Sequence, residues 1–326
     1  MNKAIFKVLV SVTLCLAIGV PVQAGTVFKS ADTHSDGYPT VEAVKYMGEL
    51  LSDWTNGRLS IKVYAGRQLG EEKDTIEQTA AGAIDLNRVN LAPMNSIVPE
   101  TAIPALPYIF RSIEHMHKVM DGEIGQEILD AFEAHGMVGL CYYDSGARSF
   151  YNSKRAINSP ADMKGMKIRV QNSDLFVATM EALGADATPM EFGQVYEALK
   201  TGVIDGAENN WPSYESTRHF EVATHYSLDQ HSMSPEVLVM SKKSWDKLSK
   251  KDQEMVKKAA WMSVPVMRDM WNARVIKSRD IVMKAGNKVI SDVEKQPFID
   301  AMGPVYKKFA DTSALKDLVK RIQAVK

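Results

Sequence analysis

The sequence of 326 residues has little cysteine and no excess of charge of either sign. Its two cysteines are Cys15, in an apolar N-terminal segment, and Cys141. The 39 basic residues are balanced by 40 acidic ones, which gives a formal net charge of −1. A protein that binds nucleic acid through its phosphates needs a basic surface, so this composition argues against such a partner. We expect no nucleic-acid binding.

The common sequence signatures of enzymes are also missing. There is no G-x-G-x-x-G after a strand, no G-x-x-x-x-G-K-[ST], no G-x-S-x-G and no H-E-x-x-H. His115 and His117 are two positions apart, whereas a zinc pair on one helix needs positions i and i+4. Cys141 lies in an apolar stretch, where burial makes a thiol unreactive. We therefore expect no catalytic residue, no cofactor and no metal site.

The first 24 residues have the pattern of a secretory signal peptide. Lys3 and Lys7 precede an uncharged, mostly apolar run from 8 to 20, and residues 22–24 have the small-x-small pattern of a cleavage site. The run is shorter than the ~20 residues of a spanning helix, although a retained anchor is the alternative. We expect a periplasmic protein. Cleavage would lower the basic residues from 39 to 37, a net charge of −3, and leave Cys141 without a disulfide partner.

After residue 24, strands and helices are predicted to alternate. Apolar residues at helical spacing, such as Val41, Val44 and Met47, indicate a helix at 40–54. The other predicted elements of this first block are strands at 27–31, 59–64 and 84–91 and a helix at 71–81. This alternation is typical of an α/β domain with a largely parallel sheet.

A second block repeats the alternation, with predicted strands at 138–143, 167–170 and 203–208 and helices at 174–183 and 192–201. The C-terminal third differs, because Ser249 and Asp252 form a capping box ahead of a helical pattern that Pro265 interrupts. Since proline removes a helix hydrogen bond, we expect either one long kinked helix or two separate helices. About 300 residues without a Pro/Ser linker indicate two domains joined by short strands.

Polar side chains lie at the ends of the strands in the second block. Arg148 comes after the strand at 138–143, Arg169 lies at the end of the next strand, and Asn209 follows the strand at 203–208. Ligands of open α/β sheets bind outside the carboxyl ends of the strands. A guanidinium group meets a carboxylate with two parallel hydrogen bonds. The three residues together indicate a carboxylate pocket, although either arginine alone could face solvent.

Five longer motifs are shared with one transporter family. They are YAGRQLG at 64–70, ALPY at 105–108, NSPADMKG at 158–165, TPMEFGQVYEAL at 188–199 and DGAEN at 205–209. On these motifs and the strand that holds Arg169, the chain resembles the extracytoplasmic solute-binding subunits of TRAP transporters, the DctP-type family. The resemblance covers nearly all of the chain after residue 24.

The resemblance implies an α/β fold of the two-lobe periplasmic-binding-protein type, with a long kinked C-terminal helix across both lobes. The expected division is lobe I at 25–147 plus about 234–265, and lobe II at 148–233 plus about 266–326. It also implies a non-enzymatic receptor that closes on a small-molecule sugar acid and delivers it to the TRAP membrane permease subunits. We expect this receptor to be a monomer.

The resemblance assigns ligand-binding residues as well. Arg169 is expected to pair with the ligand carboxylate, Arg148 to be a second ligand-contacting arginine, and Asn209 to hold Arg169 and the carboxylate in register. Phe192 is expected to pack on the ligand. The other expected ligand-binding residues are His34, Glu72, Arg88, Asn90, Asn172 and His231.

The first block indicates the ligand class. Residues 31–34 and 38–41, ADTH and YPTV, resemble members that bind hexuronates such as D-glucuronate and D-galacturonate, in which His34, Glu72, Arg88 and Asn90 would bond ring hydroxyls. Asn90 and Arg88 depart from the sialic-acid pattern, and Glu72 would repel the second carboxylate of a dicarboxylate. The side to which Arg88 points is not determined by its neighbours. The alternatives are a receptor for a C4-dicarboxylate, an aldonate or sialic acid, a periplasmic enzyme acting on a uronate, and a sensory module.

Overall fold

Two β-sheets organise the chain, and one long helix packs against elements of both. The computed structural model describes residues 25–326, so the signal peptide predicted at 1–24 lies outside the described residues. The strands are β1 (Thr26–Ala31), β2 (Leu59–Tyr64), β3 (Leu86–Asn90), β4 (Met137–Tyr143), β5 (Arg148–Asn152), β6 (Lys167–Val170), β7 (Asp186–Pro189), β8 (Gly206–Asn209), β9 (His225–Ser232), β10 (Glu236–Ser241) and β11 (Lys288–Ile290).

Along the chain, the α-helices lie between these strands and after the last of them. They are α1 (Pro39–Trp54), α2 (Glu72–Ala81), α3 (Ala102–Ala105), α4 (Ile113–Met120), α5 (Glu123–Ala131), α6 (Asp174–Ala182), α7 (Val195–Thr201), α8 (Trp211–Ser216), α9 (Lys242–Trp245), α10 (Lys250–Lys284), α11 (Gln296–Asp300), α12 (Gly303–Phe309) and α13 (Ser313–Ala324). From residue 25 to the C-terminus, none of these helices combines the length and the apolar character that a membrane span requires.

Each sheet is largely parallel and contains one reversed strand. The first sheet has the order β2-β1-β3-β10-β4, in which β10 runs antiparallel to both of its neighbours. The second has the order β11-β9-β5-β8-β6-β7, in which β5 runs antiparallel to β8 and β9. The chain enters each reversed strand from the other sheet, since β5 follows β4 and β10 follows β9. Two short connections, 144–147 and 233–235, therefore join two α/β lobes, one built on each sheet.

Helix α1 covers one face of the first sheet. Pro39 lies in its first turn, where a backbone N–H has no acceptor within the helix, so the missing N–H of proline costs no hydrogen bond. Val41, Val44 and Met47 recur at helical spacing and are at most 1% exposed. Each such side chain contributes about 1.5–3 kcal/mol when it is fully buried. The predicted apolar stripe is therefore the face that packs against β2 and α10.

Helix α10 runs without a break from Lys250 to Lys284, with Pro265 inside it. The prediction of one long helix is confirmed, and the alternative of two separate helices is wrong. Ser249 caps its first turn by accepting the Asp252 amide hydrogen, as the capping-box pattern predicts. The first part of α10 packs against α1 and β4, and the later part against α8, so the helix crosses both lobes.

Most predicted elements agree with the structure to within one residue at each end, and the larger differences concern two short strands and one helix. β2 and β6 match their predicted ranges, whereas the strand predicted at 203–208 begins only at Gly206. The helix predicted at 192–201 is divided into a 3-10 turn, Phe192–Gln194, and α7. The sequence patterns did not predict β5, β7, β9, β10 or β11. Arg148 follows β4, as expected, and it is also the first residue of the unpredicted strand β5.

Candidate functional site

A small cavity lies between the two lobes, at the carboxyl ends of the parallel strands of both sheets. Eight of the residues that the sequence predicted for the ligand site line it, namely His34, Glu72, Arg88, Asn90, Arg148, Arg169, Phe192 and Asn209. Thr33, Gln171, Ser213 and Glu236 complete the lining. The cavity therefore lies at the edge of each sheet where ligands of open α/β sheets bind.

Arg169 is buried with part of its guanidinium group unused. Its Nε and Nη2 atoms both donate to the Met190 carbonyl oxygen, at 2.9 and 2.7 Å. Arg169 is 3% exposed. Across residues 25–326, no carboxylate forms an ion pair with its side chain. Burial lowers the pKa of Arg169, and the attraction of Glu208 only partly offsets that effect. A buried cation with an open edge is suited to two parallel hydrogen bonds with a carboxylate.

Arg148 is held by Glu208 and Asn209. Its Nε and Nη2 atoms pair with the two carboxylate oxygens of Glu208, and Nη1 donates to Oδ1 of Asn209 at 3.1 Å. Although burial raises the pKa of Glu208, Arg148 and His231 lower it to about 2, so the pair is ionised. These bonds leave one hydrogen of Nη1 for a ligand.

Asn209 therefore positions Arg148, whereas the resemblance led us to expect that it positions Arg169. The reason is the sheet register, because Ser149 at the start of β5 is paired with Asn209 at the end of β8. This antiparallel pairing puts Asn209 beside Arg148. Arg169 is oriented instead by the backbone of Met190, which follows the neighbouring strand β7.

Arg88 points to the cavity and is tied mainly to two acids. Its Nε donates to Asp32 Oδ2 at 2.9 Å, Nη2 pairs with the other oxygen of Asp32, and Nη1 donates to Glu236 Oε2 at 2.8 Å. Nη2 also donates to Thr33 Oγ1 at 3.2 Å. Of the five N–H groups of this arginine, one on Nη1 makes no hydrogen bond, and Glu72 Oε1 lies 3.7 Å from that nitrogen. Arg88 thus acts chiefly as the centre of a buried ionic network in the cavity wall.

Glu72 and Asn90 form the polar wall next to Arg88. Glu72 begins α2, and its Oε1 accepts the backbone hydrogen of Asn90 at 3.1 Å. The Asn90 amide donates to Glu236 Oε1 at 3.3 Å. Burial raises the pKa of Glu72 to about 7, although Arg88 acts in the opposite direction. A carboxyl group with this pKa can accept a hydrogen bond from a hydroxyl or donate one near neutral pH.

His34 is a neutral imidazole between two aromatic rings. Its ring stacks on Tyr38 with centroids 3.7 Å apart, and the edge of Phe192 from the other lobe approaches it at 5.4 Å. Burial, followed by the charge of Arg88, lowers the pKa of His34 well below its usual value. Phe192 also lies 5.9 Å from the guanidinium carbon of Arg169. His34 and Phe192 therefore both line the cavity.

The structure does not bring Asn172 and His231 to this cavity. Asn172 donates to Glu191 Oε1 at 2.6 Å and lines a separate groove that also contains Lys73. His231 is buried behind Arg148, where Nδ1 lies 2.8 Å from Asp229 and Nε2 3.4 Å from Glu208. Although burial lowers the pKa of His231, Asp229 and Glu208 raise it to about 9. A protonated His231 thus supports the carboxylate that holds Arg148.

Sequence reasoning missed several residues of the site: Asp32, Thr33, Gln171, Glu208, Ser213 and Glu236. Strand alternation could have indicated Gln171, because residues i and i+2 of a strand share a face and Arg169 had already been chosen. Nothing in the sequence indicated Glu236, since it pairs with Asn90 across 146 positions.

The two histidines and the cysteine that were considered for other chemistry have structural roles. The His115 ring lies 3.0 Å from the Ile322 carbonyl oxygen, and His117 lies 2.8 Å from both oxygens of Asp144. Burial raises the pKa of the Cys141 thiol to about 12. In the part of the chain that the structure describes, no group of three or more His, Cys, Asp or Glu residues is arranged to hold a metal ion.

In sequence, the chain is similar to known solute-binding proteins. Residues 30–312 match the model of the DctP family, described as bacterial extracellular solute-binding protein, family 7. A solute-binding protein of Chromohalobacter salexigens is 40% identical over 311 residues, which cover 95% of this chain and 92% of that protein.

Two crystal structures of TRAP periplasmic solute-binding proteins superpose closely. The one from Bradyrhizobium sp. BTAi1, in complex with α/β-D-galacturonate, is 57% identical, with a TM-score of 0.90 and coverage of 91% of this chain and 99% of that chain. The one from Roseobacter denitrificans, with bound β-D-glucuronate, is 43% identical, with a TM-score of 0.90 and coverage of 92% and 100%.

Proposed function

Because the chain belongs to the DctP family of bacterial extracellular solute-binding proteins, we propose that it is the periplasmic receptor of a TRAP transporter for a hexuronate, D-galacturonate or D-glucuronate. Members of this family are receptors and not enzymes. The hexuronate assignment is supported by the ligands of the two similar crystal structures. The observation in this chain that carries it is the open guanidinium edge of Arg169 in a cavity whose other wall is polar.

Arg169 and Arg148 are the proposed carboxylate partners. Two N–H groups on Nη1 of Arg169 and one on Nη1 of Arg148 have no partner in the described part of the chain, and both side chains line the same cavity. Desolvating a carboxylate is tolerable only when charged hydrogen-bond donors replace its water. Arg169 has no acid of its own, so a ligand carboxylate would supply the charge that this buried cation lacks.

The opposite wall is proposed to bind the hydroxyl groups of the sugar. Glu72 and His34 offer a carboxyl and a neutral imidazole, both of which exchange hydrogen bonds with hydroxyls. Asn90 also lines this wall, and its amide hydrogens are donated to Ser234 and Glu236. Arg88 contributes its single remaining hydrogen and holds this wall together through Asp32 and Glu236. A ligand with one carboxylate and several hydroxyls fits this division better than a C4-dicarboxylate, whose second carboxylate would meet Glu72.

Lobe closure is the proposed mechanism. We assign residues 25–147 and about 234–265 to lobe I and the remainder from 148 to lobe II. This division follows the strands of the two sheets, whereas α13 packs on α3 and α5 of lobe I. A ligand that bonds Arg169 in lobe II and Glu72 in lobe I binds the closed form better than the open one, and so shifts the population towards closure. The closed form would then be recognised by the membrane permease subunits. Residues 1–24 would direct export of the receptor to the periplasm.

A thermal-shift screen tests this function. The purified protein without residues 1–24 is heated with D-galacturonate, D-glucuronate, D-gluconate, sialic acid or succinate. A ligand that binds only the native state adds about 2.7 kcal/mol of stability at one hundred times its Kd, so the two hexuronates should raise the Tm most. Stabilisation by succinate or sialic acid alone would contradict the hexuronate assignment. Recovery of chemically unchanged uronate after incubation excludes the periplasmic enzyme.

A further inference from the structure

Gln171 has a buried amide oxygen without a hydrogen-bond partner. The residue follows β6, is 7% exposed and lines the cavity. Its Oε1 atom is shut off from solvent and accepts no hydrogen bond from any residue between 25 and 326. A buried acceptor without a hydrogen bond has lost its hydration and gained nothing in return, which lowers the stability of the fold. Gln171 is therefore unfavourable in the wall of an empty cavity, and a ligand that donates a hydrogen bond to Oε1 would remove this cost.

The position of Gln171 relates it to Arg169. The two residues are i and i+2 at the end of one strand, so their side chains leave the same face, with backbones about 7 Å apart. Both side chains line the same cavity, so the Arg169 fork and Gln171 can bind different groups of one small ligand. A carboxylate has no hydrogen to donate, so it cannot satisfy Oε1. A hydroxyl can, and since a hydroxyl both donates and accepts, it suits either end of the amide.

We propose that Gln171 is a specificity-determining residue that hydrogen-bonds a ring hydroxyl of the sugar acid bound by Arg169. This inference rests on the proposed function and adds a hydroxyl-binding group on the lobe that otherwise holds the carboxylate. It also explains why the amide is left unpartnered inside the protein, because the ligand supplies the missing bond. Gln171 would then select among uronates by the hydroxyl at one ring position.

The test replaces Gln171 with leucine, which has a similar size and no polar atom. A purely structural role predicts that Gln171→Leu changes neither ligand affinity nor the selection among ligands. Our proposal predicts that the Tm without ligand is unchanged or higher, because an unpaired buried amide has been removed. It also predicts about a tenfold loss of D-galacturonate or D-glucuronate affinity by calorimetry. A loss of uronate affinity without a loss of Tm distinguishes the two roles.

Asn87→Leu is the matched control. Asn87 is 1% exposed, both polar atoms of its side chain lack partners among the described residues, and it does not line the cavity. Its replacement should leave uronate affinity unchanged. Gln171→Met, which keeps an unbranched side chain, replaces the leucine variant if that variant fails to fold.

Deoxy analogues of the preferred uronate identify the hydroxyl. The wild-type protein should bind one monodeoxy analogue about tenfold more weakly, and Gln171→Leu should bind that analogue and the parent equally. A folded Gln171 variant with wild-type affinity for the parent uronate would overturn the inference and leave the proposed function intact. A wild-type protein that binds no uronate at all would overturn both.

Discussion

The hydroxyl of Tyr38 in lobe I lies 3.0 Å from the hydroxyl of Ser213 in lobe II. Tyr38 precedes α1, is 2% exposed, and stacks its ring on His34 at 3.7 Å. Its edge also meets Trp271 of α10 at 5.9 Å. One side chain thus positions a cavity histidine and bonds the opposite lobe. Because this contact requires the lobes to be together, it should stabilise the closed form specifically.

We expect Tyr38→Phe to weaken uronate binding while the protein without ligand keeps its Tm. The substitution keeps the ring that stacks on His34 and removes only the bond to Ser213. One such bond contributes about 0.5–1.5 kcal/mol, which corresponds to a loss of about two- to twelvefold in affinity by calorimetry. Ser213→Ala should have a similar effect, and the double variant should be no weaker than either single one. Additive losses would contradict a direct bond.

Arg169→Lys should lose most of the binding although it keeps the positive charge. A lysine ammonium cannot make two parallel bonds to a carboxylate or bond Met190 through a fixed fork. Removing one partner of a buried charge pair costs about 2–5 kcal/mol, so Arg169→Ala sets the upper limit of the loss. Calorimetry with D-galacturonate measures both. The control is Arg155→Lys at an exposed position, which should bind as the wild type does. Equal affinity of Arg169→Lys and the wild type would reject the carboxylate fork.

His231 makes the stability of the protein depend on pH. The groups that face it are Asp229, Glu208 and the ring of Phe150. Although burial lowers the pKa of His231, the two acids raise it to about 9. Because the pKa of His231 is higher in the folded protein than its unfolded value of about 6.5, its protonation stabilises the fold. This contribution is complete below pH 6.5 and is lost as the pH rises through 9. The size of this contribution is on the order of 3 kcal/mol.

We therefore expect the Tm of the wild type to fall between pH 6.5 and 9, beyond the change seen in a His231→Gln variant. The variant is neutral at every pH and leaves Glu208 and Asp229 without their cation. It should be less stable than the wild type at pH 6.5, and the difference should shrink towards pH 9. Thermal unfolding followed by circular dichroism measures both curves. Parallel curves would show that His231 is not protonated in the native state.

The sequence allowed the local elements and the arginines of the site to be predicted. The apolar spacing of Val41, Val44 and Met47 predicts α1, and the ends of the parallel strands predict where Arg169 and Asn209 lie. These predictions depend on periodicity within a segment, which the sequence records directly. The resemblance to a family added Glu72, Asn90 and His34, which no periodicity indicates.

The remaining features depend on contacts between distant segments. β5 and β10 are the strands that reverse direction in each sheet, and their partners are set by chain crossings between the lobes. For this reason the pairing of Arg148 with Glu208, and of Arg88 with Asp32 and Glu236, could not be predicted. The face of Arg88 was likewise undetermined until β3 was seen between β1 and β10.

The rim of the cleft offers a further test of closure at Gly193. Its amide hydrogen is donated across the cleft to Glu71 Oε1 at 3.2 Å, and Glu71 lies 3.4 Å from Arg67. A Cβ at position 193 would stand 2.4 Å from Glu71 Oε1 and 2.9 Å from Arg67 Nε. Alanine would therefore displace both side chains, but only when the lobes are closed. We expect Gly193→Ala to lower uronate affinity about threefold or more, with the Tm without ligand unchanged.

Two further variants separate closure from a general effect of alanine. A Cβ at position 303 would meet no other part of the described chain within 4 Å, so Gly303→Ala should bind and unfold as the wild type does. Glu71→Ala removes the acceptor of the Gly193 amide and makes room for a Cβ, so Gly193→Ala should cost less affinity in a Glu71→Ala background than in the wild type. An equal loss in both backgrounds would mean that the clash with Glu71 is not the cause. If affinity is lost together with the Tm of the free protein, Gly193 supports the fold of lobe II and the rim contact is not what selects the closed form.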